Sequence, residues 1–547
     1  MLMDKISTRR AVTTGVLIAA LVAASSVAAI AGPHRARLSP EVAEQMARRV
    51  EAAAEFIVAV REDRIDAVAA RYGATLKKRI KGGGVVEATG GQLDAISQDP
   101  DVDHIASNAK VSRMMEVTTR ATGAKQVWSG VGQLQGLTGR GVGIAVLDTG
   151  VAPHAALRDR IVVSRNFTGP AGEAPDHFGH GTHIAGIMAE DDRDGFGGMA
   201  PGASIINLKV LGSDGSGETA DVIEAIDWAI ANRRAYNIRI LNLSLGHPAF
   251  ESYVDDPLCQ ATQRASDAGI LVVAAAGNFG KTADGRPIVG AIISPANTPS
   301  VLTVGAVNTR GTARRSEHVM ATYSSRGPTV DGALKPELVA PGNKIAAASA
   351  QGGYLARTYP ERIVAGQGNS AYIELSGTSM AAAVASGAAA LLLESHPDLT
   401  PADVKVALQL TSSRVPGAGL IEAGAGELNV AAAVEFIATG QISSLFLAGE
   451  QVTPSHVAFW SDATQINLLN NFIGEAISLG STIVWSDTIV WSDTIVWSDT
   501  IVWSDTIVWS DFFIAGATIV WSDTIVWSDT IVWSDTIVWS DTIVWSD

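Results

Sequence analysis

Four polar residues stand where their types and surroundings suit acyl transfer. Ser379 lies in Leu-Ser-Gly-Thr-Ser-Met-Ala, residues 375–381, where a Gly-Thr turn runs into the small-residue stretch 380–394, which reads as a buried helix. A hydroxyl at a helix N-terminus meets free amides and the positive end of the helix dipole, and both favour developing negative charge. Asp148 follows the apolar run Ile-Ala-Val-Leu, Asn278 follows Val-Val-Ala-Ala-Ala-Gly, and His180 opens His-Gly-Thr-His at the head of a helix. Each has a plain structural use, since Asp and Asn end strands as turn formers and Ser caps helices. Together, in the order Asp, His, Ser, they make a set able to attack a carbonyl. The imidazole takes the serine proton near neutral pH and the carboxylate fixes its tautomer. The Asn amide donates to the oxyanion, a contribution often of about 3 kcal/mol.

The elements that must hold these residues are legible around them. Continuous apolar runs at 142–147, 205–211, 238–245, 270–276 and 301–307 predict strands buried on both faces, hence a largely parallel sheet. Residues 219–235 place Val222, Ile226, Ala229 and Ile230 at helical spacing. The pattern predicts an α/β domain with a doubly wound, mostly parallel sheet, whose ligands bind beyond the C-terminal strand ends. Ahead of it, strands expected at 56–60, 82–89 and 102–105 and helices at 63–72 and 92–97 describe a small α+β unit.

Composition bounds the rest. At 547 residues, with 47% hydrophobic and 18% charged residues, the chain suits two to four well-buried units. A net charge of −16 argues against nucleic acid as a partner. The only cysteine, Cys259, can form no internal disulfide and reads as a small apolar group on a helix. Residues 1–31 read as an export signal: Lys5, Arg9 and Arg10 precede an alanine-rich apolar run that ends in Ala29-Ile30-Ala31. An uncleaved membrane anchor is the alternative, and the small residues of the distal half favour cleavage.

His177, His180 and His183 recur every three residues, but His177 precedes the helix and no His-Glu-x-x-His is present, so zinc is not expected. Asp191, Asp192 and Asp194 precede Gly195, and read either as a structural calcium loop or as a solvated acidic turn.

Asp148-Thr149-Gly150, the run from His180 to Gly186 (His-Gly-Thr-His-Ile-Ala-Gly) and Gly377-Thr378-Ser379-Met380-Ala381 resemble the three signature blocks of the subtilisin-like serine peptidases, the subtilases. Ala275-Ala276-Gly277-Asn278 resembles the family's oxyanion block, and Gly198-Met199-Ala200-Pro201 and Ala340-Pro341-Gly342 its framework motifs. The resemblance covers roughly residues 120–437. It implies that Ser379 is the nucleophile, His180 the base, Asp148 its orienter and Asn278 the oxyanion donor, with no cofactor in catalysis. It further implies that Ser244-Leu245-Gly246 and Ala275-Ala276-Gly277 line the cleft and pair with an extended peptide, with Ile293 near the pocket floor. A calcium loop at Asp191, Asp192 and Asp194 is also in keeping with the family. Ala383 and Val384 depart from the family's Pro and His after the nucleophile, which bears on fine positioning and not on proton transfer. The early unit, with Tyr72-Gly73-Ala74 and Asp99-Pro100-Asp101-Val102, resembles a subtilase propeptide, which implies assisted folding, inhibition and self-cleavage near residues 114–119.

The expected organisation is therefore a signal at 1–31, a propeptide at 32–117, a catalytic domain at 118–440, a connector at 441–481 and a tail at 482–547. In the tail Thr-Ile-Val-Trp-Ser-Asp occurs five times, then Phe-Phe-Ile-Ala-Gly-Ala, then five more times; it holds ten Asp and no Lys or Arg. An even period suits a strand with Ile, Trp and Asp on one face, and Asp beside Ser at each junction suits a stacked solenoid; both readings stay open. So do self-association, attachment to a surface, cation binding and no binding role at all. The functional expectation is a secreted serine endopeptidase acting on protein or peptide substrates and inhibited by its own propeptide. The alternative is a structural or adhesive repeat protein whose peptidase domain only processes itself or is inactive.

Overall fold

The computed structural model describes residues 35–39, 42, 46, 53–60, 64–107, 114–130, 136–169, 172–191 and 195–458, and within the tail 483–486, 501–504, 519–522 and 538–539. The chain divides into two compact units, Met1–Lys110 and Val111–Asp547. The division falls ahead of the 117/118 boundary expected from sequence. The expected signal at 1–31 lies outside the described residues, as does the connector beyond residue 458.

In the first unit, β1 (Arg37–Leu38), β2 (Ala54–Val60), β3 (Thr75–Ile80), β4 (Gly83–Ala88) and β5 (Val102–Ser107) form one sheet in the order β1-β5-β2-β4-β3. Phe56 and Val58 of β2, Val86 of β4 and Ile105 of β5 share its core with Leu93 and Ile96 of the helix Gly90–Ser97. β3 was not expected. Its sequence Thr-Leu-Lys-Lys-Arg-Ile carries three basic residues, and an edge strand of that kind discourages further pairing while giving little apolar pattern to read.

The second unit is built on an eight-stranded sheet. Its strands are β6 (Gly143–Asp148), β7 (Ile161–Asn166), β8 (Ser204–Lys209), β9 (Ile238–Leu243), β11 (Leu271–Ala275), β13 (Leu302–Asn308), β14 (Val319–Met320) and β15 (Leu338–Pro341). Between them in the chain lie β10 (His247–Pro248) and β12 (Ile293–Ser294), which pair with each other. The order is β14-β13-β11-β9-β6-β8-β7, with β15 also on β13, and every pairing except β13–β14 is parallel. β6, β8, β9, β11 and β13 are the five apolar runs expected from sequence, buried almost throughout because helices cover both faces. From β6 the chain runs out to the edge strand β7, returns to β8 beside β6, then crosses over β6 to β9 and onward. The reversal opens a crevice past the C-terminal ends of β6 and β9. A smaller sheet of β16 (Ile345–Ala348), β17 (Ile363–Ala365) and β18 (Tyr372–Leu375) leads into the helix Thr378–Ser395. That helix is the expected small-residue segment. Ala, Gly and Ser along it let neighbouring elements approach closely: a Cβ on Gly387 would lie 2.4 Å from Met199 Cβ. A hairpin of β19 (Leu445–Leu447) and β20 (Glu450–Val452) closes the globular part.

The tail strands β21 (Ile483–Ser486), β22 (Ile501–Ser504), β23 (Ile519–Ser522) and β24 (Val538–Trp539) pair in parallel, identical residue on identical residue. Ile483, Ile501 and Ile519 are eighteen residues apart, so the pairing unit is three hexads and not one. A parallel partner needs a return segment of about a dozen residues or more, which one hexad cannot supply.

A buried charged cluster ties the segment just before β15 to the helix Pro401–Thr411. Glu337 accepts from Lys335 and from Lys405, whose Nζ lies 2.6 Å away, and also from the Thr303 amide at 2.7 Å; all three charged side chains are nearly inaccessible. Burial pushes Lys405 down to about 7; Glu337 opposes the shift and Lys335 reinforces it. Between that value and its ordinary 10.5 the unfolded chain holds the proton and the folded chain does not, so this residue makes stability rise with pH above about 7. Lys405→Met is expected to flatten that rise, measured as thermal midpoints from pH 7 upward. Glu337→Gln, which leaves both ammonium groups without a carboxylate, is expected to cost about 3–5 kcal/mol in denaturant unfolding.

Candidate active site

The site begins at the end of β6. Asp148, its last residue, is wholly buried, and one carboxylate oxygen accepts from the Thr149 amide at 2.7 Å. The helix His180–Ala189 starts beside it, and His180 is its first residue. The approach is close because a Cβ on Gly181 would lie 2.2 Å from the Gly150 carbonyl oxygen, so that position takes only glycine. His180 Nδ1 donates to the Asp148 carboxylate, 2.8 and 2.9 Å from its two oxygens. With Nδ1 so engaged, Nε2 is the nitrogen left to act as a base. Burial disfavours the imidazolium, but the charge and hydrogen bond of Asp148, with a contribution from Asp176, outweigh it and raise His180 above its usual value.

On the other side, Ser379 is the second residue of the buried helix Thr378–Ser395 and is half-buried. Its hydroxyl donates to the Ser244 carbonyl oxygen at 3.1 Å, and the Ser244 hydroxyl donates to the Ser379 carbonyl oxygen at 2.9 Å. Asn278 lies in the segment following β11. Its Oδ1 accepts from the Thr378 amide at 3.0 Å and the Thr378 hydroxyl at 3.1 Å. The acceptor end of the amide is thereby committed, and its Nδ2 end is left to donate. The structure thus joins Asp148 with His180, and Asn278 with the Thr378–Ser379 turn. A cleft of about 390 Å³ is lined by both His180 and Ser244, the residue that holds Ser379.

Leu245 and Gly246 also line that cleft and lie between β9 and β10, in neither strand. The Ala275-Ala276-Gly277 stretch behaves differently from expectation. The Ala276 amide donates to the Val304 carbonyl, the Gly277 amide to the Thr378 hydroxyl, and the Ser325 amide to the Gly277 carbonyl. Ala275 itself is paired within the sheet. Its backbone is spent on the sheet and on the Ser379 turn, so this stretch has no free edge to act as a pairing strand. Ile293 stands between the two stretches: a Cβ on Gly246 would lie 2.6 Å from its Cδ1, and one on Gly277 would lie 2.8 Å from its Cγ2.

Of the acidic turn, Asp191 is described and its amide donates to the Ala156 carbonyl; Asp192 and Asp194 lie outside the described residues. Among the described residues no group of three or more metal-ligating side chains comes together. His183 is buried with Nε2 against the Ile345 and Ile373 carbonyls, and burial pushes it down to about 3, so it is a neutral packing residue. Cys259 is also buried, on the helix Pro257–Asp267, and burial pushes its thiol up to about 11. The residue that sequence reasoning passed over is Asp176, a buried carboxylate just ahead of His180. Its signal was present only as an acid four residues before the histidine, in a loop with no periodicity.

The subtilase family model matches residues 139–431, which include all four residues. The chain belongs to the subtilase family. It is a subtilisin-like serine endopeptidase, and among its relatives is the serine protease AprX of Bacillus subtilis, 38% identical over 326 residues, covering 57% of this chain and 70% of that one. An alkaline protease of Alkalihalobacillus alcalophilus is 32% identical over 346 residues, covering 62% of this chain and 78% of the relative. A solved structure, sphericase, shares 30% identity with a TM-score of 0.45, covering 56% of this chain and 97% of its own.

A histidine raised in this way, used as a base, would set an acid limb. The imidazole must be neutral to take a proton, so kcat/KM is expected to fall as pH drops through a value above 6.5. Asp148→Asn, which cannot hold the required tautomer, is expected to lower kcat by about 10⁴, checked by steady-state kinetics on a chromogenic peptide.

Proposed function

We propose that this subtilase hydrolyses peptide bonds through an acyl-enzyme formed on Ser379. The observation that carries the proposal is the Asp148–His180 hydrogen bond at a strand end, on a cleft shared with Ser244, whose carbonyl holds the Ser379 hydroxyl at the start of a buried helix. When substrate binds, the Ser379 hydroxyl turns from the Ser244 carbonyl to His180 Nε2 and attacks the scissile carbonyl carbon as the imidazole takes its proton. Asp148 stabilises the imidazolium. Asn278 Nδ2 donates to the oxyanion, and amides at the start of the helix add a favourable field. The imidazolium then protonates the leaving amine. Water, deprotonated by the same imidazole, releases the acid and restores the serine.

An extended peptide pairs along Leu245 and Gly246, opposite the wall made by Ala275–Gly277. Ile293 fills the space between Gly246 and Gly277, so the pocket for the residue before the scissile bond accepts small or apolar side chains. The first compact unit, in its part within the 32–117 segment expected from sequence, acts as the propeptide. Residues Met114–Ala121 form a helix with Met115 in the core of the second unit, and an active-site cleft takes extended chain, so the proposed self-cleavage moves from the 114–119 stretch expected from sequence to a site ahead of Met114. Export by residues 1–31 accords with this reading, and parallel pairing three hexads apart supports the stacked form of the tail, as an attachment element. Calcium at the Asp191, Asp192 and Asp194 turn is proposed as structural only.

Casein hydrolysis by the full chain, abolished by a serine-directed phosphonofluoridate, is expected. A folded, processed protein without turnover would favour the self-processing or adhesive alternative. Ile293→Gly is expected to raise kcat/KM for peptides with Phe or Tyr before the scissile bond by about 10-fold or more relative to Ala, measured in paired substrates. Ser379→Ala is expected to keep its propeptide attached, as read by the N-terminal sequence of purified protein.

A further inference from the structure

Asp176 is 4% exposed, yet its two carboxylate oxygens accept five hydrogen bonds. One oxygen accepts from the Thr149 hydroxyl at 2.8 Å, the Gly179 amide at 2.7 Å and the Phe178 amide at 3.1 Å. The other accepts from the Thr182 amide at 2.9 Å and the Thr182 hydroxyl at 2.6 Å. These donors come from both sides of the Asp148–His180 pair. Thr149 follows Asp148, and its hydroxyl oxygen also accepts from the Gly181 amide at 2.9 Å. Gly179 precedes His180, and Thr182 lies in the same helical turn. The Thr182 hydroxyl accepts in turn from the Ala152 amide at 2.9 Å. One side chain therefore fixes the distance between the end of β6 and the start of the helix that carries the base.

A counter-charge lies across the same strand end. Lys209, at the end of β8 and 5% exposed, donates from Nζ to the Thr149 carbonyl at 2.5 Å and the Leu211 carbonyl at 2.8 Å. The titratable groups around His180 are then Asp148 on β6, Asp176 and His177 on the preceding loop, His183 on its own helix and Lys209 on β8. Glu218 and His247 line the adjoining cleft.

We propose that Asp176 is a positioning residue of the catalytic machinery, and that Asp176 and Lys209 together set the acid limb of the reaction with opposite signs. The proposal rests on the reading of His180 as the base. In the resting site two carboxylates face one ammonium, and the imidazolium formed during attack completes a neutral set of four. Removing Asp176 takes away one charge that stabilises the imidazolium; removing Lys209 takes away one that opposes it. Both Asp148 and Asp176 act on Lys209 as well, partly offsetting the burial that lowers it. Asp176 touches neither substrate nor the reacting atoms, so it works through geometry and field.

The test uses the full-length enzyme with kcat expressed per active site titrated by phosphonofluoridate, which removes any misfolded fraction from the comparison. Asp176→Asn is expected to lower kcat about 10- to 100-fold with KM within about threefold, and to move the acid limb of kcat/KM acidward by roughly half a pH unit. Lys209→Met is expected to move the limb the other way. An unmoved limb in Asp176→Asn, or shifts of the same sign in the two variants, would overturn the proposal. Loss of phosphonofluoridate labelling in the unsubstituted enzyme would overturn the functional reading beneath it instead, so the two failures are distinguishable.

Discussion

The structure depends on one packing constraint: the helix Thr378–Ser395 must run through the interior with almost every side chain buried. Mostly Ala, Gly and Ser fit such a path, with Met380, Val384 and three Leu among them, because β9, β11, β13 and β15 lie along it together with the helix His180–Ala189. Its first turn is the part that reaches the crevice. Burial of the remainder fixes where Ser379 stands, much as a long rod set in a wall fixes its tip.

The electrostatics follow from that arrangement. Parallel strands with β6 and β9 adjacent place Asp148 and Ser244 at neighbouring strand ends, one holding the histidine and the other holding the serine turn. Water is excluded from Asp148 and Asp176, so their charges act on His180 with little screening. The same principle operates far from the site in the Lys335–Glu337–Lys405 cluster, where burial is tolerated because each ammonium finds a carboxylate oxygen and at least one backbone carbonyl.

Much of this was legible in the sequence because the informative residues are local. Asp148 directly ends an apolar run, His180 opens a helix, and Ser379 sits at a Gly-Thr turn, so type and immediate neighbours suffice. What escaped was set by contacts distant in sequence. Asp176 matters through Thr149 and Thr182, on an element and a turn that no local pattern links to it. The Ala275–Gly277 backbone looked available until β13, Thr378 and Ser325 were seen to use it. β7, Ile-Val-Val-Ser-Arg-Asn, is an edge strand with only three apolar residues and none fully buried, so it leaves little apolar pattern to read. In the tail the hexad was plain, but pairing every third hexad follows from the length a parallel return requires and not from the hexad itself.

The central claim is that Ser379 is made nucleophilic by His180. Peptide mapping by mass spectrometry after phosphonofluoridate treatment tests it most directly. The account predicts a single covalent adduct, on Ser379, that forms at least about 10³-fold more slowly in His180→Ala. An adduct on another serine, or labelling of Ser379 at an unchanged rate without the histidine, would contradict it.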